Sequence, residues 1–522
     1  MRKIQYVLVL AIIAIFATGC ADSYLDQNPS GSTITEAQYY NMDNVAEGTV
    51  KGVYTLLYEY GGDHDVFGQR SIDMYGDLLC GDMALNTFNY GWFRTDELMQ
   101  TYTRRAYFWS YYYTIIRNCN KAINVLDAQS HPLLDFDLET ITTEEYYNGF
   151  YYAELLAIRG WAYAGLSRYF VEVGADETSL SVPIYTEADT KADTIIGGPR
   201  ATVGDLYLRI EEDLQTAIQY FGAYNLIARN SKIEINQTVA RILLAYSYLN
   251  KGDYTSALAY AEEAISYSVP AILPLAEVLT TGFNNVENAN WLWGEDVTVE
   301  NSTGLASFFG QCDIYSYSYA SAGDVKAIDK ALYEEIQPWD IRQYWWNNYG
   351  TSKARDAKEY EYAPDGKFYS AKSTTLQGDR DWLSDNVYMR WELAYLIAAE
   401  ASARNHNVEN AKSYLFAITD ERVIPDHEDA YEAWKESLTD EMTVLAAIKH
   451  NWRVELWGEG YGLQTFRRYG ESVNLGENHK RSEKTITPGT PRRFTFEIPN
   501  SEQFYNPAIR DAMDTKSLRK KN

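Results

Sequence analysis

The chain has 522 residues, 46% of them apolar, and a net charge of −27. It is long enough for one large or two ordinary domains with ample core, and its acidity excludes nucleic acid and anionic membrane surfaces as partners, since both need a basic face. Its 45 Tyr and 13 Trp against 18 Phe suit half-buried helix faces and, where they gather, a surface both flat and wettable.

Residues 1–20 read as an export signal. Arg2 and Lys3 form a basic start, and Tyr6 to Ala17 form an apolar run of 12, short of the ~20 residues that span a bilayer. Ala17-Thr18-Gly19-Cys20 resembles a bacterial lipobox, with Ala17 where leucine is usual. Cys20 is therefore the expected lipidation site and residues 1–19 the removed signal peptide; an ordinary leader with a chance cysteine is the alternative. More than one acyl chain there would anchor the chain stably. Residues 20–34, with Pro29 and Gly31, read as a tether. Of Cys80, Cys119 and Cys312, at most two can form a disulfide, and no Cys/His spacing suits a metal.

Thr35-Glu36-Ala37-Gln38 fits a capping box that opens a helix to about Tyr58, ended by Gly61-Gly62. Tyr75 to Leu98 is expected to be irregular, broken by Gly76, Gly81 and Gly91. Within it Asn86, Phe88, Asn89, Tyr90, Trp92, Phe93 and Arg94 crowd into nine positions. Long loops of this composition tend to be functional: rings stack on the C–H faces of a sugar, while Asn and Arg grip hydroxyls. A loop folding its rings onto the domain is the bland alternative.

Helices are predicted at about Arg104 to Leu126 and Tyr151 to Phe170. The next has Thr202 as N-cap with Asp205 three residues on, and Leu206, Ile210, Leu214, Ala217 and Phe221 along one face. Thr238 to Pro270 reads as two short helices around Gly252-Asp253. The offsets of Ala245, Tyr248, Gly252, Tyr254, Ala257, Ala261 and Ala264 match the tetratricopeptide pattern. Such a pair cannot bury its apolar face alone, so it needs neighbours.

From 271 to 385 the helical period fades into a loop-rich insertion. Trp291-Leu292-Trp293 is predicted as a buried strand, and Ile314 to Ala320 as an alternating one, with Tyr315, Tyr317 and Tyr319 on one face. Gln337 to Tyr349 is a further aromatic cluster containing Trp345 and Trp346. Helix returns at Tyr388 to Ala403, apolar nearly all round and so buried, then at Asn410 to Ile418 and over Glu441 to Tyr469.

Several blocks in order carry a family resemblance. YLDQNP follows Cys20 (Tyr24 to Pro29). AELLAIRGWAYAGLSRYF runs from Ala153 to Phe170, with Val182-Pro183-Ile184 after it. YMRWELAYLIAAEA spans Tyr388 to Ala401, RVELWGEGYGLQTFRRYG spans Arg453 to Gly470, and FEIPNSEQFYNP spans Phe496 to Pro507. Together with Asp340-Ile341-Arg342 they make the chain similar to SusD/RagB-type outer-membrane lipoproteins along nearly its whole length; after Pro507 the match fails. The resemblance implies a mainly α fold of tetratricopeptide-like helix pairs carrying a variable, loop-rich ligand face. It divides the chain into an N-terminal SusD-like region, 35–270, and a RagB/SusD C-terminal region, 271–522. It also implies a lipid-anchored glycan-binding protein at the outer surface, with a SusC-like TonB-dependent transporter as partner and no cofactor. RagB relatives are implied to handle peptides instead.

The resemblance puts the ligand site in the variable loops. Asn89, Trp92, Arg94, Tyr315 and Tyr317 are the first candidates, then Asn86, Phe88, Tyr90, Tyr319, Trp345 and Trp346. Trp291 and Trp293 are assigned to the core. A glycosidase is the competing class. Glu455 and Glu459, four apart on an expected helix, share a face, and a retaining pair needs carboxyls ~5 Å apart. Nearby Arg453, Arg467 and Arg468 would depress their pKa, so ion pairing is favoured over catalysis. Six His, no G-x-S-x-G and no phosphate-binding loop leave nucleophilic and phosphoryl chemistry without support. Asp379, Asp381 and Asp385 lack the EF-hand pattern and read as a solvated acidic loop.

Overall fold

The computed structural model describes residues 45–510 except 87–89, 94–103, 191–196, 226–230, 348–359, 371, 373–374, 377, 379, 381, 481–482 and 490–493. The expected leader, Cys20, the tether and the start of the first helix lie outside these residues.

Described in chain order, α1 is Val45–Thr55 and α2 is Gln69–Cys80, buried along its whole length. Strand β1 is Met83–Leu85. Then come α3 (Arg105–Ser130), α4 (Thr143–Phe170), α5 (Val203–Ala223), α6 (Gln237–Lys251) and α7 (Tyr254–Tyr267). Short strands β2 (Trp291–Glu295), β3 (Lys326–Ile328) and β4 (Asn386–Arg390) lie in the irregular part. Helices α8 (Trp391–Arg404), α9 (Val408–Thr419), α10 (Glu441–Glu455) and α11 (Gly462–Tyr469) follow. The fold is mainly α. From α3 to α9 each helix packs on the next, and α7 meets α8 directly, so the 268–385 segment leaves the stack unbroken.

Local signals explain the stack. Thr202 caps α5 in a reciprocal box with Asp205, and Gly252 ends α6 at φ 91°, a conformation glycine adopts freely. Ala245, Ala257, Ala261 and Ala264 are fully buried, so small side chains let α6 and α7 approach closely. Trp291 and Trp293 are buried in β2 as expected.

Elsewhere the structure corrects the sequence reading. Helix α4 begins at Thr143, well before Tyr151, behind a capping box of Thr142 and Glu145. Gly76 does not break a helix; it sits inside α2, where an added Cβ would lie 3.0 Å from the Tyr169 hydroxyl. The first residues of the Tyr388 block are strand β4, antiparallel to β2 with Trp291 opposite Arg390. The Ile314–Ala320 strand does not form. The Ser318 hydroxyl donates to the Asp313 carbonyl, and Tyr315 N–H donates to Asp313 Oδ1 at 2.8 Å, so side chains capture the backbone groups a ladder would use. The Glu441 to Tyr469 run splits, because Gly458 and Gly460 turn the chain at φ 77° and 82°. A side chain at Gly460 would also collide with Asp73, its Cβ 2.2 Å from Oδ1. Cys80, Cys119 and Cys312 are free and buried.

Candidate functional site

Glu455 ends α10, and Glu459 lies beyond it in the glycine turn, so they do not share a helix face. They converge instead on Arg390, which donates from Nη1 to Glu455 Oε1 (2.7 Å) and from Nε to Glu459 Oε2 (2.9 Å). Arg342 (2.9 Å) and Arg422 (2.9 Å) also reach Glu455, and Lys367 (2.7 Å) reaches Glu459. These cations are not those near in sequence: Arg453 pairs with Asp82, Arg468 with Glu400, and Arg467 donates to backbone carbonyls. Burial alone would raise Glu455, but Arg422, Arg390 and Arg342 hold it well below the ordinary range. Burial is likewise outweighed at Glu459 by Arg390 and Lys367. A general acid needs the opposite shift. This centre is an internal brace.

The other cluster lies where three loops meet. The first is a small hairpin closed by the Tyr60–Phe67 bridge and by Gly61 N–H to the Val66 carbonyl at 2.8 Å. Arg104 clamps its tip, donating to Asp63 and Asp65 at 2.7 Å each. The hairpin carries His64. The second loop leaves β1. Strand β1 pairs antiparallel with β3, Met83 opposite Ile328 and Leu85 opposite Lys326, which brings Asn86 and the Tyr90–Phe93 stretch toward the loop before β3. Asn86 N–H donates to the Val325 carbonyl (3.0 Å) and Tyr90 N–H to Asp324 Oδ1 (3.1 Å). Phe93 is fully buried against Tyr75, ring centroids 4.6 Å apart, at φ 58°. That left-handed backbone is uncommon for a bulky residue. It buries Phe93 while Trp92 stays half-buried.

Beneath the rings, buried Lys326 donates to Gln311 Oε1 (2.7 Å), and Gln311 Nε2 donates to the His64 carbonyl (2.8 Å). Burial lowers the Lys326 ammonium to about 8. On this base His64 and Trp92 stack, centroids 5.4 Å apart and planes 16° from parallel. Tyr319 meets His64 edge-on at 5.4 Å, and its hydroxyl hydrogen-bonds His64 Nδ1 at 2.6 Å. Tyr90 lies edge-on to Tyr319 at 5.2 Å and Tyr60 to His64 at 6.4 Å. Tyr60 and Tyr90 are 43% and 54% exposed. The result is a platform of rings held from below by hydrogen bonds. Such rings offer flat apolar faces with polar edges, the chemistry that stacks on sugar rings and grips their hydroxyls.

Of the predicted residues, Trp92, Tyr90 and Tyr319 come together on this platform, with Asn86 beside it. Tyr317 is exposed but points elsewhere, under the Arg380 guanidinium at 4.8 Å, with Trp382 Nε1 donating to its carbonyl at 3.1 Å. Three expectations are corrected. Tyr315 is buried, its hydroxyl bonded to Asp365. Trp345 and Trp346 are fully buried in the main core, with Trp345 Nε1 donating to the Val278 carbonyl at 2.8 Å, so neither ring has a face to offer. Phe88, Asn89 and Arg94 lie outside the described residues. Sequence reasoning missed His64 and Tyr60; the signal available was a Gly-Gly-Asp-His-Asp turn flanked by tyrosine. Asp385 accepts from Val286 and Val297 N–H at 2.8 Å each, a structural staple, while Asp379 and Asp381 are outside the described residues.

Comparison with known proteins matches residues 23–244 to a family model described as starch-binding and associating with the outer membrane, and residues 312–517 to the SusD family. A SusD-like protein of Bacteroides ovatus is 28% identical over 124 residues, 24% of this chain and 21% of that protein. The match thus spans about a fifth of that relative's length. Among solved structures, a SusD-like carbohydrate binding protein of Bacteroides vulgatus superposes with TM-score 0.71 at 21% identity, covering 89% of this chain and 97% of that one. A SusD superfamily protein of Bacteroides thetaiotaomicron gives 0.68 at 21% identity, covering 89% and 98%. At these identities the structural likeness is one of fold.

Proposed function

The chain belongs to the SusD/RagB family, and from that premise we propose that it is a non-catalytic glycan-binding lipoprotein of the outer membrane. In this reading it is anchored through Cys20, faces the cell exterior, captures an oligo- or polysaccharide, and delivers it to a SusC-like TonB-dependent transporter. One observation carries the binding role: the His64–Trp92–Tyr319 cluster, with exposed Tyr60 and Tyr90, braced on hydrogen bonds between three loops. A preformed platform loses little entropy on binding. The family's description as starch-binding and outer-membrane-associated supports the glycan class. Buried, cation-paired Glu455 and Glu459 support binding without turnover.

Affinity electrophoresis against a panel of polysaccharides tests the reading. The native chain is expected to be retarded by at least one and Trp92→Ala to run freely. Retardation by none, with capture of peptides instead, would favour a RagB-like role. Release of products from the panel would sink the non-catalytic assignment. Among the described residues no helix is long and apolar enough to cross a membrane; the attachment proposed is lipid, so Cys20→Ala should leave the membrane fraction. Tagged protein extracted in mild detergent should bring down a large barrel protein. Recovery of the chain alone, with glycan uptake unchanged on its deletion, would refute delivery.

A further inference from the structure

We propose that a cleft on the opposite side of α3 is a second carbohydrate site, for a short neutral oligosaccharide, independent of the platform. Its position follows from how α3 is used. Tyr107 and Tyr111 face the hairpin side: the Tyr107 hydroxyl accepts from Gly68 N–H (2.9 Å), and Tyr111 donates to the Leu57 carbonyl (3.1 Å). Trp109 and Tyr113 face away, toward the segment after α4, where Tyr113 donates to the Pro183 carbonyl (2.7 Å) and Asn120 to the Tyr185 carbonyl (3.1 Å).

Between this face and the closing helix Asn500–Tyr505 lies a cleft of about 560 Å³ lined by Trp109, Tyr113, Arg117, Tyr185, Glu502 and Tyr505, among others. It shares no residue with the platform. The volume lies within the roughly 300–1,000 Å³ of ligand pockets, room for about two or three sugar rings. The aromatic wall is continuous: Tyr113 lies 5.8 Å from Tyr185 and 4.7 Å from Trp109. Trp109 is itself buried against Phe170 at 5.0 Å and so backs the wall, while Tyr113 and Tyr505 supply its open surface. Tyr505 stands 86% exposed at the mouth.

The walls are already braced. Gly198 N–H donates to the Tyr185 hydroxyl (2.9 Å), and Asn506 Nδ2 donates to the Gly198 carbonyl (2.9 Å) and to Glu502 (2.7 Å). Their polar groups hold the cleft open rather than awaiting a ligand. The Arg117 guanidinium is exposed and has no partner among the described residues. One cation against the carboxylates of Asp189 and Glu502 gives the cleft no excess of positive charge, so an anion is not its natural occupant. Sugar hydroxyls suit that mixture, accepting from arginine and donating to carboxylates. The choice of sugar rests on the glycan-binding reading; the site itself rests on the geometry.

The test separates the two. The full chain is labelled with 5-fluorotryptophan, the Trp92 and Trp109 signals are assigned through Trp→Phe variants, and maltotriose, cellotriose and xylotriose are titrated in turn. The Trp109 signal is expected to shift saturably with at least one trisaccharide, equally so in Trp92→Ala, and with affinity weakened about fivefold or more in Tyr505→Ala and Arg117→Ala. Movement of Trp92 alone would overturn the cleft and leave the platform reading standing. Movement of Trp109 alone would support the cleft and its independence of the platform. A Trp109 shift that vanishes in Trp92→Ala would refute independence. Silence of Trp109 with all three sugars would also overturn the cleft, while electrophoresis against polysaccharides decides the platform separately.

Discussion

The buried centre around Glu455 and the platform around Trp92 are both dense in groups that sequence reasoning marks as functional. In the centre, three arginines converge on Glu455, and Arg390 and Lys367 meet Glu459, with every one of these side chains almost completely removed from water. In the platform, hydrogen bonds run beneath the rings and between their edges, while Tyr60 and Tyr90 keep open surface. Saturation marks the first region as scaffold. Residual capacity, held rigid from below, marks the second as a place for a ligand. A cluster's richness in charge or aromatics says less than whether its neighbours have already used it.

The largest effect should come from breaking the scaffold. Glu455→Ala leaves Arg342, Arg390 and Arg422 buried without their shared carboxylate, which should cost about 3–5 kcal/mol in a denaturant titration. A cost below about 1 kcal/mol would mean the centre is not the brace described. Trp92→Ala should do the reverse. Glycan affinity should fall about 30-fold, about 2 kcal/mol, as for a truncated aromatic anchor, with stability changed far less. Trp345→Phe is its control: it leaves the buried Val278 carbonyl unpaired and opens a cavity, and should lower stability by about 2–3 kcal/mol, leaving affinity alone.

Next in size is a pH effect that divides the buried acids themselves. Glu295 has neutral donors, Asn386 Nδ2 at 2.8 Å and the Tyr388 hydroxyl at 3.4 Å, and burial pushes its carboxyl up to about 7. Its folded-state value exceeds the unfolded one of about 4.3, so its contribution is fully present below the unfolded value and is lost as pH rises through about 7. Glu295→Gln keeps an acceptor for both donors, should flatten that decline, and should stabilise the chain at pH ~8 by about 1–2 kcal/mol. Glu455, held low, has the opposite sign: its contribution is present above the unfolded value and is lost on acidification. Equal pH slopes for Glu295→Gln and the parent would erase this division. The smallest effect is expected at His64. His64→Phe keeps a ring against Trp92 but loses the Tyr319 bond, so affinity should drop about two- to fivefold, the worth of one hydrogen bond. An unchanged affinity would show that the ring alone positions Trp92.

Sequence alone determined what depends on neighbours along the chain. Helical period, the Thr202–Asp205 box, Gly252 and the alanines of α6 and α7 act within a few residues of one another, so the stacked helices were legible, as was the burial of Trp291 and Trp293. Strand β4 was not, because Tyr388-Met389-Arg390 becomes a strand only beside β2, about a hundred residues away. The candidate site was legible only in part. Trp92, Trp345, Trp346 and Tyr315 sit in similar aromatic loops, yet the structure buries three and leaves Trp92 on the platform. That choice is made by the β1–β3 pairing, by Phe93 turning inward, and by a histidine from another loop. The cations of Glu455 likewise come from Arg342, Arg390 and Arg422, distant in the chain, rather than from Arg453 beside it. Exposure and charge pairing are properties of what packs against a residue, and in this fold those contacts close loops of dozens to hundreds of residues, which no local pattern records.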